Sequence, residues 1–155
     1  MKITIFSLQE QRNKALKSIE DEYIQRLNKF TSLKVSDLYS KKMSLLEGFE
    51  RQEAEADLLL SKCSSSTRLI ILDEHGKEFN SRDFAQQVEK DLMQSSKELV
   101  FAIAGPYGWS ERVRENATYR LSLSQMTYTS ELARIIFIEQ LYRAFTIIRG
   151  LPYHK

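Results

Sequence analysis

At 155 residues, 42% hydrophobic and 28% charged, the chain can fill one ordinary core but not two comfortable ones, and its Gly 5 and Pro 2 exclude a fibrous or disordered composition. Its 23 basic and 21 acidic residues leave a net charge of +2, too weak for bulk attraction to a polyanion, so an anionic partner has to be held by a local patch. The lone Cys63 excludes an internal disulfide framework and a multi-cysteine zinc site, fits a reducing compartment, and reads as a buried thiol in preference to a nucleophile.

The apolar stretch at the N-terminus, within Met1 to Phe6, is too short for a signal peptide and is closed by Gln9-Glu-Gln-Arg12. No apolar run approaches the roughly eighteen residues of a membrane span, so the expectation is a cytoplasmic protein without membrane contact. Lys2 to Phe6 and Leu33 to Tyr39 are strand-like. Between them, Asn13 to Phe30 carries Leu16, Ile19, Tyr23, Ile24 and Leu27 at helical spacing, which gives a strand, helix, strand unit. A second helix is predicted from about Ser44 to Lys62 and is ended by Ser64-Ser-Ser-Thr67. Arg68 to Leu72 reads as a strand, Asp73 to Lys77 as a turn, and Ser81 to Met93 as a helix capped by Asn80 or Ser81.

Leu99 to Ala104 is a near-continuous apolar strand, followed by a glycine loop Gly105-Pro-Tyr-Gly-Trp109. Glu111 to Tyr119 is predicted as a short helix, Arg120 to Ser124 as a last central strand, and Ser130 to Ile148 as a final helix stopped at Gly150. Runs apolar on both faces, alternating with helices, predict a single three-layer α/β domain over residues 1–155 with a mostly parallel sheet. Apolar residues surround the final helix almost completely, more than one core-facing stripe requires, so its second face is expected to meet another copy in a homodimer.

Three segments could carry chemistry. Gly105 and Gly108 follow a strand where open α/β sheets bind ligands, although neither the G-x-G-x-x-G nor the G-x-x-x-x-G-K pattern is present and a tight turn is the simpler reading. Ser122 to Thr129 lies between a strand and a helix N-terminus, where it offers backbone donors and hydroxyls, or where Thr129 or Ser130 merely caps the helix. Arg134, Arg143, Arg149, Tyr153, His154 and Lys155 form a basic and aromatic cluster suited to phosphate contact and base stacking. The plainer account pairs Arg143 with Glu139 and Arg134 with Glu131 within the helix. His75 and His154, far apart in sequence, give little basis for a metal site, and no metal is expected.

Together, Leu72-Asp73-Glu74-x-Gly76-Lys77, Ile103-Ala-Gly-Pro-Tyr-Gly-Trp109, Leu121-Ser-Leu-Ser-x-Met-Thr127, Glu131-Leu-Ala-Arg134, Glu139-Gln-Leu-Tyr-Arg-Ala-Phe145 and Gly150-x-Pro-Tyr-His-Lys155 resemble the RlmH (YbeA) family. These are bacterial large-subunit ribosomal RNA pseudouridine N3-methyltransferases of the SPOUT superfamily. The chain departs from that pattern where the family commonly has Gly-Gly and it has Ala104-Gly105, and where the family usually has Leu-Pro-His or Phe-Pro-His and it reads Tyr128-Thr129-Ser130.

The resemblance implies a C-terminal trefoil knot over about residues 99–155, an S-adenosyl-L-methionine pocket in that knot beside a dimer interface, and action on 23S ribosomal RNA in the assembled ribosome. The cofactor-contacting positions fall on Leu72, Ala104, Gly105, Leu123, Ser124, Gln125, Met126, Thr127 and Tyr128. The RNA side falls on Arg134, Arg143, Tyr153 and His154, with His154 the candidate base or orienting group and Arg143 the group that stabilises negative charge. The alternatives are a SPOUT methyltransferase acting on another RNA and a noncatalytic RNA-binding or ribosome-assembly dimer.

Overall fold

In the computed structural model, which describes residues 2–94 and 98–155, the chain runs β1 (Lys2–Ser7), α1 (Lys14–Leu27), β2 (Ser32–Asp37), α2 (Lys41–Ser44) and α3 (Gly48–Ser61). It continues with β3 (Thr67–Glu78), α4 (Ser81–Gln94), β4 (Glu98–Ile103), α5 (Glu111–Asn116), β5 (Tyr119–Ser122) and α6 (Ser130–Ile148). The strands form one parallel sheet in the order β2-β1-β4-β3-β5. Alternation along the strands explains the two cores. Ile3, Ile5, Ile70, Leu72, Leu99, Phe101 and Ile103 face one side, with α1, α4 and α6; Leu69, Ile71, Val100 and Ala102 face the other, with α3 and α5. Both faces of every inner strand are therefore apolar, as the sequence runs predict for a covered parallel sheet.

Local caps set several boundaries. Asn13 Oδ1 accepts from the Ala15 and Leu16 amides to start α1, and Asn80 Oδ1 accepts from Asp83 at 2.8 Å to start α4. Gly150, with φ +65°, supplies the left-handed residue beyond the end of α6, and the Leu151 amide closes back on the Thr146 carbonyl at 2.8 Å.

Four expectations are corrected. Asp73 to Lys77 is not a turn between elements: β3 continues to Glu78, and its pairing to β5 shifts between Leu72 and Lys77, both of which register on Leu121. The extra residues bulge out because β3 needs them to regain its register on a short partner. The final strand is an edge strand, not a central one, and is only four residues long, in keeping with the exposed Arg120 it carries. The helix from Glu111 ends at Asn116, because Ala117 is extended and the Thr118 amide already donates to the Leu69 carbonyl at 2.7 Å. The predicted helix from Ser44 is split: α2 is a separate turn capped by Ser40, and α3 starts only at Gly48.

Candidate functional site

The cleft lies at the β3 bulge and the carboxyl ends of β4 and β5 and has a volume of about 780 Å³. That size suits a cofactor-sized ligand. Its apolar wall combines Leu72, Ile103, Leu121 and Leu123, while Asp73, Glu74, Arg114 and Glu131 supply charge at its margin.

Each wall is fixed by bonds from the chain itself. The Trp109 indole, buried, donates to the Leu72 carbonyl at 2.7 Å and thereby ties the glycine loop to the end of β3. Within that loop the Gly108 amide donates to the Gly105 carbonyl at 3.2 Å. The opposite wall is the segment 123–129, which leaves the edge strand β5 and crosses the ends of β3 and β4. Ser122 Oγ donates to the Glu74 carbonyl at 3.1 Å, Thr127 bonds the Glu74 carboxylate, and Ser130 Oγ donates to the Ala104 carbonyl at 2.8 Å.

Asp73 is the electrostatic centre of the β3 bulge. Burial pushes its carboxyl up, but the His75 N–H, the Arg114 guanidinium at 3.2 Å and Arg120 at 3.7 Å outweigh burial and hold it below its ordinary value. Cys63 stands apart from the cleft lining, and burial, aided by Glu98, pushes its thiol up to about 11, so it stays protonated at neutral pH and is a poor nucleophile.

A second cluster occupies the other end of α6. Arg143 Nη2 donates to Glu139 at 2.6 Å, as the helical spacing predicts, and its guanidinium lies 4.8 Å from the centroid of the Tyr153 ring. Tyr153 donates to the same Glu139 oxygen at 2.9 Å and meets the Tyr23 hydroxyl at 3.2 Å. Burial and these two bonds raise its phenol above the ordinary range, so it remains neutral. Arg143 Nη1 sits 3.3 Å from His154 Nδ1. A guanidinium only donates, so Nδ1 accepts, and in the neutral ring the proton is on Nε2. His154 thus carries its donor on the ring nitrogen that Arg143 does not contact.

The sequence candidates divide accordingly. Leu72, Ala104, Gly105, Leu123, Ser124, Met126, Thr127 and Tyr128 come together around the cleft, while Gln125 is exposed on the same segment outside the lining. Arg143, Tyr153 and His154 come together at the tail. The two groups lie at opposite ends of α6, about 20 Å apart along an axis that rises about 1.5 Å per residue. Arg134 joins neither as a free cation: it is 3% exposed, and its guanidinium is shared by Glu20 of α1 and Asp37 at the end of β2, not by Glu131. Asp73 and Glu74 carry no role in the sequence reading, although both stand in the quoted Leu72-Asp73-Glu74 motif; they read as turn residues, whereas the β3 bulge places both in the cleft lining. Among the described residues no group of three or more His, Cys, Asp and Glu could hold a metal ion, and no helix is long and apolar enough to cross a membrane.

A family model described as "Predicted SPOUT methyltransferase" matches residues 1–154. Proteins named "Ribosomal RNA large subunit methyltransferase H" are similar over most of the chain. That of Flavobacterium johnsoniae is 41% identical across 99% of both sequences. Those of Bacteroides thetaiotaomicron and Porphyromonas gingivalis are 38% identical across 86% of both and 35% identical across 99% of both.

Proposed function

The chain belongs to the SPOUT methyltransferase family, and on that premise we propose that it transfers a methyl group from S-adenosyl-L-methionine to N3 of a pseudouridine in 23S ribosomal RNA. The observation that carries the proposal is the cleft itself. It joins an apolar wall of Leu72, Ile103, Leu121 and Leu123 to a segment, 123–128, rich in backbone donors and hydroxyls, with Asp73 and Glu74 beside it. That donor set fits a purine nucleoside carrying a cationic sulfonium: the wall takes the base, the backbone reads its edge, and the carboxylates favour the positive charge. Bound there, the cofactor supplies a methyl that is already electrophilic, so no covalent nucleophile is required of the protein.

The protein's own work is alignment and exclusion of water. Residues 105–109 and 123–128 form the two walls that hold the cofactor, and Ser130, bonded to the Ala104 carbonyl, keeps them at a fixed separation. A single domain with a C-terminal trefoil knot over about residues 99–155 is what membership of that family implies.

The RNA side is the tail cluster of Arg143, Tyr153 and His154. Because it lies about 20 Å from the cleft of its own chain, we assign it to the cleft of a second copy in a homodimer. There His154, with its proton on Nε2, orients the base by donating to a carbonyl, which fits its geometry better than the role of base. Arg143 stabilises the charge that develops as the N3 proton passes to solvent water. The protein's place is the cytoplasm, with the assembled ribosome. The +2 net charge makes shape and the local tail patch, not bulk attraction, the source of selectivity.

The test is methyl transfer to ribosomes from a strain lacking the modification, with mass spectrometry of the product nucleosides. N3-methylpseudouridine from the large subunit is the expected product. A methyl group recovered in another RNA, or none despite measurable cofactor binding, would overturn the assignment.

A further inference from the structure

The glycine loop cannot hold its own shape: Pro106 has no N–H to contribute, and the loop's one internal bond is the Gly108 to Gly105 turn. Helix α3 stands behind it and supplies what the loop lacks. Gln52 Nε2 donates to the Tyr107 carbonyl at 2.7 Å and the Trp109 carbonyl at 3.4 Å. One turn further, Glu55 is 2% exposed and accepts from Arg51 Nε at 3.1 Å, while Arg51, also buried, reaches the Ser44 carbonyl at 3.4 Å.

Glu55 Oε2 is buried and has no hydrogen-bond partner among the described residues. Both oxygens press on the glycine: a Cβ on Gly105 would stand 2.3 and 2.5 Å from them. The side of Gly105 where a side chain would project is therefore filled by the carboxylate, and its other side lines the cleft. Burial raises the Glu55 carboxyl above the ordinary range, although Arg51 and the Gly105 N–H pull it down. A buried ion pair is weak as a stabilising device compared with apolar packing, so this pair calls for a reason other than stability.

We propose that Glu55 is a positioning residue of the cleft: buttressed by Arg51, its carboxylate keeps the Gly105 backbone forward, and with Gln52 it fixes the course of residues 105–109 against which the cofactor packs. This rests on the reading of the cleft as the S-adenosylmethionine site. It also accounts for the chain's departure at Ala104-Gly105. The tight approach is at Gly105, where a methyl cannot fit, while Ala104 packs, partly buried, against the core under the sheet.

The test is calorimetric titration of the full chain with S-adenosylmethionine, together with amide exchange of residues 105–109 and thermal melting, for wild type, Glu55→Gln, Gln52→Ala, Gly105→Ala and the double variant Glu55→Ala/Gly105→Ala. The exposed Asp57→Ala on the same helix is the control. Glu55→Gln and Gln52→Ala are expected to weaken cofactor binding about tenfold and to speed loop exchange, with core amides unchanged. Gly105→Ala is expected to cost more alone than when added to Glu55→Ala, because the colliding carboxylate is then gone. Wild-type affinity and loop exchange in Glu55→Gln and Gln52→Ala would overturn the proposal. Failure of the wild type to bind would overturn the cofactor reading instead, and loop exchange in the variants would still decide the positioning role.

Discussion

Arg134 illustrates why residue identity alone misassigns a cation. Its spacing from Glu131 fits a helical pair, and its place among other basic residues fits an RNA contact. The fold instead brings Glu20 and Asp37 to it from far earlier in the sequence. Nothing local encodes that meeting, because it depends on α1 and α6 lying side by side. Glu20 is fully buried, so removing Arg134 leaves its carboxylate only the longer Lys17 pair, at 3.6 Å, among the described residues. Arg134→Met is expected to lose about 3–5 kcal/mol in urea unfolding; a loss near zero would mean the cluster is not what joins α1 to α6.

Asp73 makes a residue-scale prediction in pH. Its folded value is held below the ordinary 3.8, so the stability it contributes is present above about that pH and is lost as pH falls through the lowered value. The bulge should loosen first. Exchange of the His75 amide, which donates to Asp73 at 3.0 Å, is expected to accelerate relative to sheet amides on acidification below that range. In Asp73→Asn the acceleration should already be present at neutral pH. Equal acid dependence in wild type and variant would refute the role given to this carboxylate.

At the scale of elements, the strands and helices were legible because each carries its own period: alternating apolar runs on both faces for β1, β3 and β4, and helical spacing for α1 and α4. The β3 bulge and the edge position of β5 were not, since they depend on which strand pairs with which, and Asp73-Glu74-His75-Gly76 has the composition of a turn. The start of α6 shows two adjacent hydroxyls with separate tasks. Thr129 Oγ1 accepts from the Leu132 amide at 3.3 Å as an N-cap, whereas Ser130 reaches across to Ala104. Thr129→Ala is expected to cost about 1 kcal/mol of stability with little change in cofactor affinity. Ser130→Ala should show the reverse emphasis, a weaker cofactor complex with a smaller change in melting. The same profile for both would mean that Ser130 acts only through the helix.

At the level of the whole molecule, α6 is apolar nearly all round, but much of that surface is spent within the chain. Phe137, Ile138, Leu141, Ala144 and Phe145 enter the core, and Tyr142 packs on Tyr23, Phe30 and Tyr153. What is left outside is Leu132, 45% exposed, and Ile136, 36% exposed, one helical turn apart. Leu132 stands between Glu131 and Ala133 of the cleft lining in sequence, which supports the proposed homodimer with an interface bordering the cleft. Leu132→Glu combined with Ile136→Glu is expected to yield a folded monomer by light scattering; an unchanged mass would move the interface elsewhere.

In the homodimer proposed above, one chain's cleft is completed by another chain's tail. It is tested most directly by mixing two inactive variants, one with a blocked cleft, Gly105→Asp, and one with a disabled tail, Arg143→Ala/His154→Ala, and measuring methyl transfer to unmodified ribosomes after exchange of subunits. Each mixed dimer then holds one site with an intact cleft and an intact tail, so activity is expected to recover to about a quarter of the wild-type level for a two-fold dimer at random exchange. No recovery, with mixed dimers demonstrated by mass, would contradict the account and return cleft and tail to separate roles.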